Sequence, residues 1–494
     1  MNKNYLRYLI RTRKVLILFF LAVYVCVSLM WNLSGINLTP GSGFYSACKA
    51  AIAISLVLTY LLPVLVFSFV HKRSSADLYF ALPVSRKEQR ITSLVFAFGI
   101  AFGYFLITAV IAWILYALPY VSVLRVLAIL GYAAFLVITL LAVNSVLFLL
   151  GNNFVDGIVM MAAYTMFPLF ASIAGELIVM EMVAGGTAGT TEELFVFLSP
   201  AWMLVNNFSA LLSMNGWLYR HFNLLHLIFC AAFLVCAWFA LRKEFDERQT
   251  ERAEQISDHP LSYPLVINLY AVMFLLLFGS FLMKDPGPEL IVLYVFLLVC
   301  YVTAGFLYRR KLKVDTKTLG IFAAEAVLCA ALMFGMWKTH GFGMADNYSL
   351  TGGTGIRYDY NMQVSNEDLG KPMAIKGAFA ETHVSFSLFI DNTEAETGSE
   401  ALTLMEDLRK EAIAAFYRKS ADDPVFQGSL QVCNENTEGN IDTAYYYQLN
   451  CLLREEELKT ISERCKVIVG VWGDPRMNDG EYTLEEYLEL RDQP

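Results

Sequence analysis

The chain has 494 residues, of which 57% are apolar and only 17% are charged, and its mean hydropathy is +0.50. Soluble domains are about 45–50% apolar and about 25% charged, and a single soluble core stops growing beyond roughly 250–300 residues. The composition therefore predicts a polytopic α-helical membrane protein. It excludes a cytosolic enzyme, a nucleic-acid-binding protein and a secreted disulfide-rich scaffold.

The charge is unevenly distributed along the chain. Residues 1–337 carry a balance of +6, whereas residues 338–494 carry -14. The formal net charge of -8 and the acidic pI of about 5.4 therefore belong to the last third of the chain. An acidic surface of this kind favours a solvated domain and disfavours nucleic acid as a partner.

Nine segments are long and apolar enough for membrane spans, since a spanning helix needs about 20 mostly apolar residues. They are Val15–Trp31, Cys48–Val70, Ile91–Leu118, Val126–Leu150, Gly157–Met182, Phe222–Leu241, Leu265–Met283, Leu290–Tyr308 and Leu319–Trp337. A basic amphipathic stretch, residues 1–14, precedes the first one. No Ala-x-Ala-like cleavage site follows Val25-Cys26, so we expect the first span to be retained.

Lys and Arg are concentrated in alternate loops. With the N-terminus inside, the inner segments hold 19 of them and the outer loops hold 4. Cytoplasmic loops carry such an excess of positive residues. The sequence thus predicts a multi-pass protein of the cell membrane with a cytoplasmic N-terminus, and nine spans place residues 338–494 on the extracytoplasmic side.

The first inner loop, residues 71–90, contains a short amphipathic turn at Ala76–Leu82. Leu78, Ala81 and Leu82 share one side of this turn, Ser74 or Ser75 can cap its start, and a proline follows it. An apolar patch ringed by basic residues suits docking into a groove on a soluble partner. The same residues also suit a helix that lies on anionic membrane lipid. The loop alone leaves both interpretations open.

Two further segments divide the chain. The outer loop 183–221 is largely apolar, so we expect it to return into the outer membrane interface. Arg242–Glu254 is charged and predicted to be helical, and it is followed by a break at His259-Pro260. The predicted organisation is a six-span unit in residues 1–258, a three-span extension in residues 259–337 and a C-terminal α+β domain in residues 338–494.

The first inner loop carries a motif of the form Lys-Arg-Ser-x-x-Asp-Leu-Tyr-x-x-Leu-Pro-x-x-Arg in residues 72–86. Together with the six spans, the basic amphipathic N-terminus and the apolar segment before the sixth span, this motif resembles the membrane subunits of ABC-2-type exporters. The resemblance is to a Gram-positive bacterial group in particular, whose members carry additional spans and an outer C-terminal domain.

The resemblance implies a role for the first inner loop. In that family the loop is the coupling helix, which enters a groove of the ATP-binding cassette subunit. The residues in corresponding positions are Asp77, Leu78, Leu82, Pro83 and Arg86. Family members more often have His or Ser where this chain has Phe80-Ala81. A second permease copy or a paralogue, and membrane lipid, are the other implied partners.

This chain lacks a phosphate-binding loop. Such a loop needs the pattern GxxxxGK[ST], in which the lysine reaches the outer phosphates of the nucleotide. The glycine-rich stretches Gly185–Gly189 and Gly352–Gly355 lack that lysine. We therefore expect no cofactor or metal on this chain, with ATP and Mg²⁺ bound by the partner subunit.

The C-terminal domain shows mixed patterns. Strict alternation predicts strands at residues 356–364 and 384–390, and residues 443–449 and 465–471 also have strand character. Ser399–Arg418 and Leu453–Arg464 are predicted helices, and Thr483 is expected to cap a third, short one. Strands mixed with helices in this order predict an α+β domain.

The C-terminal domain shows no pattern of a catalytic or metal site. It contains no HExxH, GxSxG or Cys/His ligand spacing, so we expect a protein that is not an enzyme. Its three cysteines leave a pair between Cys451 and Cys465 as an open possibility.

Two other functions stay as alternatives. One is a membrane sensor or scaffold whose outer domain binds a cell-envelope ligand, without transport. The other is a secondary carrier, which is disfavoured because charged residues within the spans are few, Glu176 and Glu325 being the clear ones, and no inverted repeat is visible.

Overall fold

The structure is a computed structural model. It describes residues 2–34, 42–118, 120–186, 195–212, 223–257, 259–284, 287–310 and 316–346, the strands at 355–364, 382–391, 428–435, 441–449, 466–472 and 480–483, and the single positions 410, 413, 414, 416, 417, 486 and 489. The first part of the chain is helical, and the strands all follow residue 346.

The described helices are numbered in chain order. They are α1 (Lys3–Thr12), α2 (Lys14–Ser34), α3 (Ser42–Phe67), α4 (Arg73–Phe80), α5 (Arg86–Ala112), α6 (Val123–Leu149), α7 (Phe154–Met182), α8 (Pro200–Leu212), α9 (Leu224–Asp246), α10 (Tyr263–Lys284), α11 (Pro288–Arg309) and α12 (Thr316–Lys338). A 3₁₀ turn, Ser68–His71, extends α3, and a π-helical turn, Trp113–Ala117, extends α5.

Eight of these helices are long and apolar enough to cross a membrane: α3, α5, α6, α7 and α9 to α12. They confirm eight of the nine predicted spans and make this a multi-pass helical membrane protein. The remaining predicted span, Val15–Trp31, lies within α2. Helix α2 has 21 residues, and among its described side chains Ile17–Cys26 is an apolar stretch. A ninth span stays a prediction.

The described chain forms two compact units. Residues 1–172, 193–271 and 300–315 belong to the first, and residues 173–192, 272–299 and 316–494 belong to the second. This division follows spatial contacts, whereas the predicted boundaries at residues 258 and 337 follow sequence patterns and stay predictions.

In the first unit, α3, α5 and α6 pack against one another, and α8 and α9 pack against α6. Ala51, Ala101 and Ala133 are fully buried in this core. Small side chains let helix backbones approach closely, which is how helices associate where the hydrophobic effect does not drive them together. Ser55 adds an interhelical hydrogen bond, donating from Oγ to the carbonyl oxygen of Ala101 over 2.9 Å.

Many large apolar side chains face outward from the spans. On α11, for example, Ile291, Val292, Val295 and Phe296 are all more than half exposed. Apolar surface of this extent is unfavourable in water and is the normal surface of a helix in lipid. The exposed faces therefore agree with the membrane location that the spans indicate.

The strands form one antiparallel sheet in the order β4-β3-β1-β2-β5-β6. The strands are β1 (Gly355–Val364), β2 (Thr382–Asp391), β3 (Gly428–Glu435), β4 (Ile441–Leu449), β5 (Lys466–Trp472) and β6 (Gly480–Thr483). The four predicted strands correspond to β1, β2, β4 and β5. Thr483 caps as expected: its Oγ1 accepts from the Glu486 backbone N–H, and its own N–H donates to Glu486 Oε2 over 2.8 Å. Most of the predicted helix Ser399–Arg418, and all of Leu453–Arg464, lie outside the described residues.

Within the second unit, Tyr417 connects the C-terminal region to the end of α7. Its hydroxyl donates to the Met182 carbonyl oxygen over 2.9 Å and accepts from the Ala184 N–H over 3.3 Å. The ring of Tyr417 also stacks on His340, with ring centres 4.4 Å apart. The segment after the last span is thus attached to the membrane helices by specific hydrogen bonds.

Candidate functional site

The predicted coupling segment connects α3 to α5. After the turn Ser68–His71 the chain forms α4, an eight-residue helix, and then reaches Ser85 in extended conformation. Ser85 starts α5 with a capping box, in which its Oγ accepts from the Glu88 N–H and the Glu88 side chain accepts from the Ser85 N–H. The expected cap at Ser74 or Ser75 is wrong: α4 begins one residue earlier, and its N-cap residue, Lys72, makes no side-chain cap bond.

Three of the five predicted residues point outward. Asp77 and Pro83 are exposed, and Leu78 is 67% exposed. Ala81, between them in the chain, is exposed as well. We call these four residues, Asp77, Leu78, Ala81 and Pro83, the docking face. An isolated leucine this exposed on a polar helix costs little and offers an apolar contact to a partner.

The other two predicted residues point inward. Leu82 is partly buried and packs against the apolar core of the first unit. Arg86 Nη1 donates to the carbonyl oxygens of Asp246 at 3.1 Å and Arg248 at 2.6 Å, and its guanidinium lies 4.4 Å from the centre of the Phe80 ring. Leu82 and Arg86 therefore hold the segment in place within this chain.

An aromatic layer lies beneath α4. The ring of Tyr79 stacks on Phe69 with 4.3 Å between the ring centres, and Phe80 contacts Phe245 of α9 edge to face at 5.9 Å. On the other side, Tyr79 contacts Tyr8 of α1 at 6.5 Å. Burial raises the pKa of Tyr79 to about 12, and neighbouring Tyr8 adds to this shift, so its phenol is neutral at physiological pH. The residues of α4 that carry the docking face are thus packed on a layer of uncharged aromatic side chains.

Two polar contacts fix the junction between α4 and α5. The buried side chain of Gln89 donates from Nε2 to the Tyr79 carbonyl oxygen over 2.7 Å. Arg90, which is only 2% exposed, forms a two-point ion pair with Asp246 at the end of α9, with both N–O distances 3.0 Å. Bidentate pairs of this kind are both strong and directional.

No local sequence pattern indicates a structural role for Gln89, Arg90 or Asp246. Arg90 and Asp246 are 156 residues apart, so no periodicity or local motif connects them. The only available signal is their position, one at the start and one at the end of a predicted span, where a lone charge needs a partner.

The predicted helix Arg242–Glu254 is also wrong beyond Asp246, where α9 ends; a single 3₁₀ turn, Thr250–Arg252, follows.

Within the part of the chain that the structure describes, no group of three His, Cys, Asp or Glu residues could hold a metal ion. Lys72, Arg73 and Lys87, which flank the docking face in the chain, are exposed. Comparisons with models of known protein families, with curated proteins and with solved structures find no match to this chain.

Proposed function

We propose that this chain is the permease subunit of an ATP-driven ABC exporter of the ABC-2 type, and that ATP is hydrolysed on a separate ATP-binding subunit. The observation that supports the proposal is the docking face, with Leu78 67% exposed on a short helix that is rigidly supported at one end of a multi-span bundle. The resemblance of residues 72–86 to the coupling loop of ABC-2-type permeases supports the same function.

The charge distribution agrees with this assignment. The excess of Lys and Arg in the predicted inner loops favours a cytoplasmic location for residues 71–90, on the side of the membrane where ATP is available. Residues 1–258 would form the six-span permease unit and residues 259–337 the three-span extension. The C-terminal α+β domain would then lie outside the cell. A homodimer, or a pair with a second permease, would enclose the export path between the two copies.

The mechanism requires the docking face to respond to nucleotide. A nucleotide shifts a conformational equilibrium only through different affinities for the two states. The partner must therefore hold the docking face differently in its ATP-bound and empty forms. Closure of two ATP-binding subunits would push on residues 74–86 and tilt the helices to which this segment is joined.

Affinity purification from the native membrane in mild detergent, with mass-spectrometric identification of bound proteins, tests the proposal. We expect a near-stoichiometric ATPase that carries a phosphate-binding loop. Leu78→Asp should reduce its recovery at least tenfold, because it puts a charge in the centre of the apolar contact. Leu124→Asp is the matched control. Leu124 is 78% exposed and lies near the N-terminus of α6, outside residues 71–90.

A clean absence of any ATPase would contradict the proposal. It would favour the sensor or scaffold function, in which the C-terminal domain binds a cell-envelope ligand. Equal recovery of the ATPase with Leu78→Asp and with Leu124→Asp would keep the partner but show that the docking face is not where it binds.

A further inference from the structure

We propose that residues 246–257, here called the strap, transmit movement of the docking segment to the turn between α6 and α7. The inference deepens the proposed function and rests on it. The strap begins at the last residue of α9, has little regular structure, and makes hydrogen bonds to two separate parts of the first unit. One part is the docking segment, residues 73–90, and the other is the α6–α7 turn, residues 149–153.

Three arginines attach the docking segment to the strap. Arg86 donates to the carbonyl oxygens of residues 246 and 248, and Arg90 pairs with the Asp246 carboxylate. Arg73 Nη2 donates to the Glu251 carbonyl oxygen over 3.3 Å. The segment thus contacts the strap at its first helical turn and again at the start of α5. A displacement of α4 would therefore reach the strap through arginine side chains. Hydrogen bonds from such charged donors are stronger than those from neutral donors.

Arg248 attaches the strap to the α6–α7 turn. It is 5% exposed, its Nη1 donates to the Leu149 carbonyl oxygen over 2.7 Å, and its Nη2 donates to the Gly151 carbonyl oxygen over 2.9 Å. These carbonyls are at the C-terminus of α6, where a helix presents partial negative charge and favours a cation. Burial lowers the pKa of Arg248 only to about 10, so the guanidinium stays charged at neutral pH.

The later part of the strap adds three bonds to the same turn. Ser257 Oγ donates to the Leu150 carbonyl oxygen over 2.8 Å. Asn152 Nδ2 donates to the Ile256 carbonyl oxygen over 3.3 Å, and the Asn152 carbonyl oxygen accepts from the Glu254 N–H over 2.9 Å. Glu254, which donates this bond, adopts a left-handed backbone conformation with φ of 67°. Strain of this kind persists only where the surroundings determine the conformation.

These contacts make the strap a hydrogen-bonded connection between the docking segment and the α6–α7 turn. Arg248 is too buried to contact a partner subunit, so it acts as a positioning residue. The consequence is that nucleotide binding on the ATPase should alter the α6–α7 turn as well as the docking segment itself. Without the connection, the change should be confined to the docking segment.

Hydrogen–deuterium exchange of the intact complex, with and without ATP and vanadate, tests this inference. In the wild-type complex we expect the nucleotide to change exchange in peptides covering residues 73–86 and residues 149–157. Arg248→Lys keeps the charge but supplies fewer, differently placed donors. We expect it to reduce the change in residues 149–157 at least threefold while the change in residues 73–86 persists. Arg252→Lys is the matched control, because Arg252 is an exposed strap arginine.

The outcomes separate the two proposals. No ATPase in the complex would overturn the proposed function and this inference with it. A nucleotide response at residues 73–86 with none at residues 149–157 would overturn the inference alone, as would an Arg248→Lys complex that responds like the wild type. If Arg248→Lys does not fold, Ser257→Ala removes one strap bond and decides the matter, since it should weaken the response at residues 149–157.

Discussion

At the scale of single residues, Leu78 and Leu82 are four positions apart but have different surroundings. Leu78 is mostly exposed, whereas Leu82 packs against the core. We predict that Leu82→Asp lowers the melting temperature of the detergent-solubilised protein by several degrees, because it buries a charge. Leu78→Asp should leave it within about one degree, since surface substitutions cost about 0.5 kcal/mol or less. Equal melting temperatures for the two variants would contradict the assignment of Leu82 to the interior.

The ion pair between Arg90 and Asp246 gives a second prediction at this scale. Removing one partner of a buried pair leaves the other charge unsatisfied, at a cost of about 3 kcal/mol. We expect Arg90→Ala and Asp246→Ala each to destabilise strongly, and the double variant to cost much less than the sum. Unfolding by denaturant in mixed micelles measures all three. Additive losses would show that the pair does not form, and exposed Lys87→Ala serves as the control.

The residue scale also shows where sequence patterns stop being informative. The local pattern placed Leu78, Ala81 and Leu82 on one side of a short amphipathic helix, and of these Leu78 and Ala81 are exposed whereas Leu82 packs against the core. It did not show that Arg86 points inward, since the carbonyl oxygens that it contacts lie about 160 residues later in the chain. Such contacts depend on the three-dimensional arrangement of the helices.

At the scale of elements, the start of α5 depends on its capping box. Ser85→Ala removes the oxygen that accepts from the Glu88 N–H, so we predict a loss of about 1 kcal/mol in the free energy of unfolding. Ser74→Ala is the control, because Ser74 is exposed and α4 has no side-chain cap bond. The two variants can be compared by thermal unfolding in the same detergent. A larger loss for Ser74→Ala would contradict the observed helix start.

Helices and strands were predicted with uneven success, for a physical reason. Long apolar stretches are almost sufficient to predict spans, because inside a membrane the backbone polar groups must hydrogen-bond to one another within regular secondary structure. Residues 247–254 were predicted as helix from their charged composition. In the structure their carbonyl oxygens accept from Arg73 and Arg86, so tertiary contacts outweigh helix propensity there. β3 was not predicted, because its sequence shows no strict alternation of apolar and polar residues.

At the scale of the whole molecule, the number of spans decides on which side the C-terminal domain lies. Nine spans put the two termini on opposite sides, whereas the eight long helices without α2 put them on the same side. We predict that a C-terminal epitope tag is accessible to antibody on cells whose wall has been removed and whose membrane is intact. An N-terminal tag should become accessible only after the membrane is permeabilised. Both tags being hidden until permeabilisation would show that α2 does not cross.

The composition and charge pattern were sufficient to predict the membrane class, because the hydrophobic effect acts on the chain as a whole. The proposed function depends instead on one short segment, and the partner that we propose for it is a different molecule. No matching family, curated protein or solved structure supplies that partner. The docking face is therefore the part of the molecule on which the functional assignment rests.

The most direct measurement is photo-crosslinking from the docking face in native membranes. A photoreactive phenylalanine analogue replaces Leu78, and the same analogue replaces Leu124 in the control. We predict that the probe at position 78 crosslinks to a protein with a phosphate-binding loop, more strongly with ATP and vanadate than without, and that the probe at position 124 does not. Crosslinks from position 78 to lipid alone would contradict the exporter assignment.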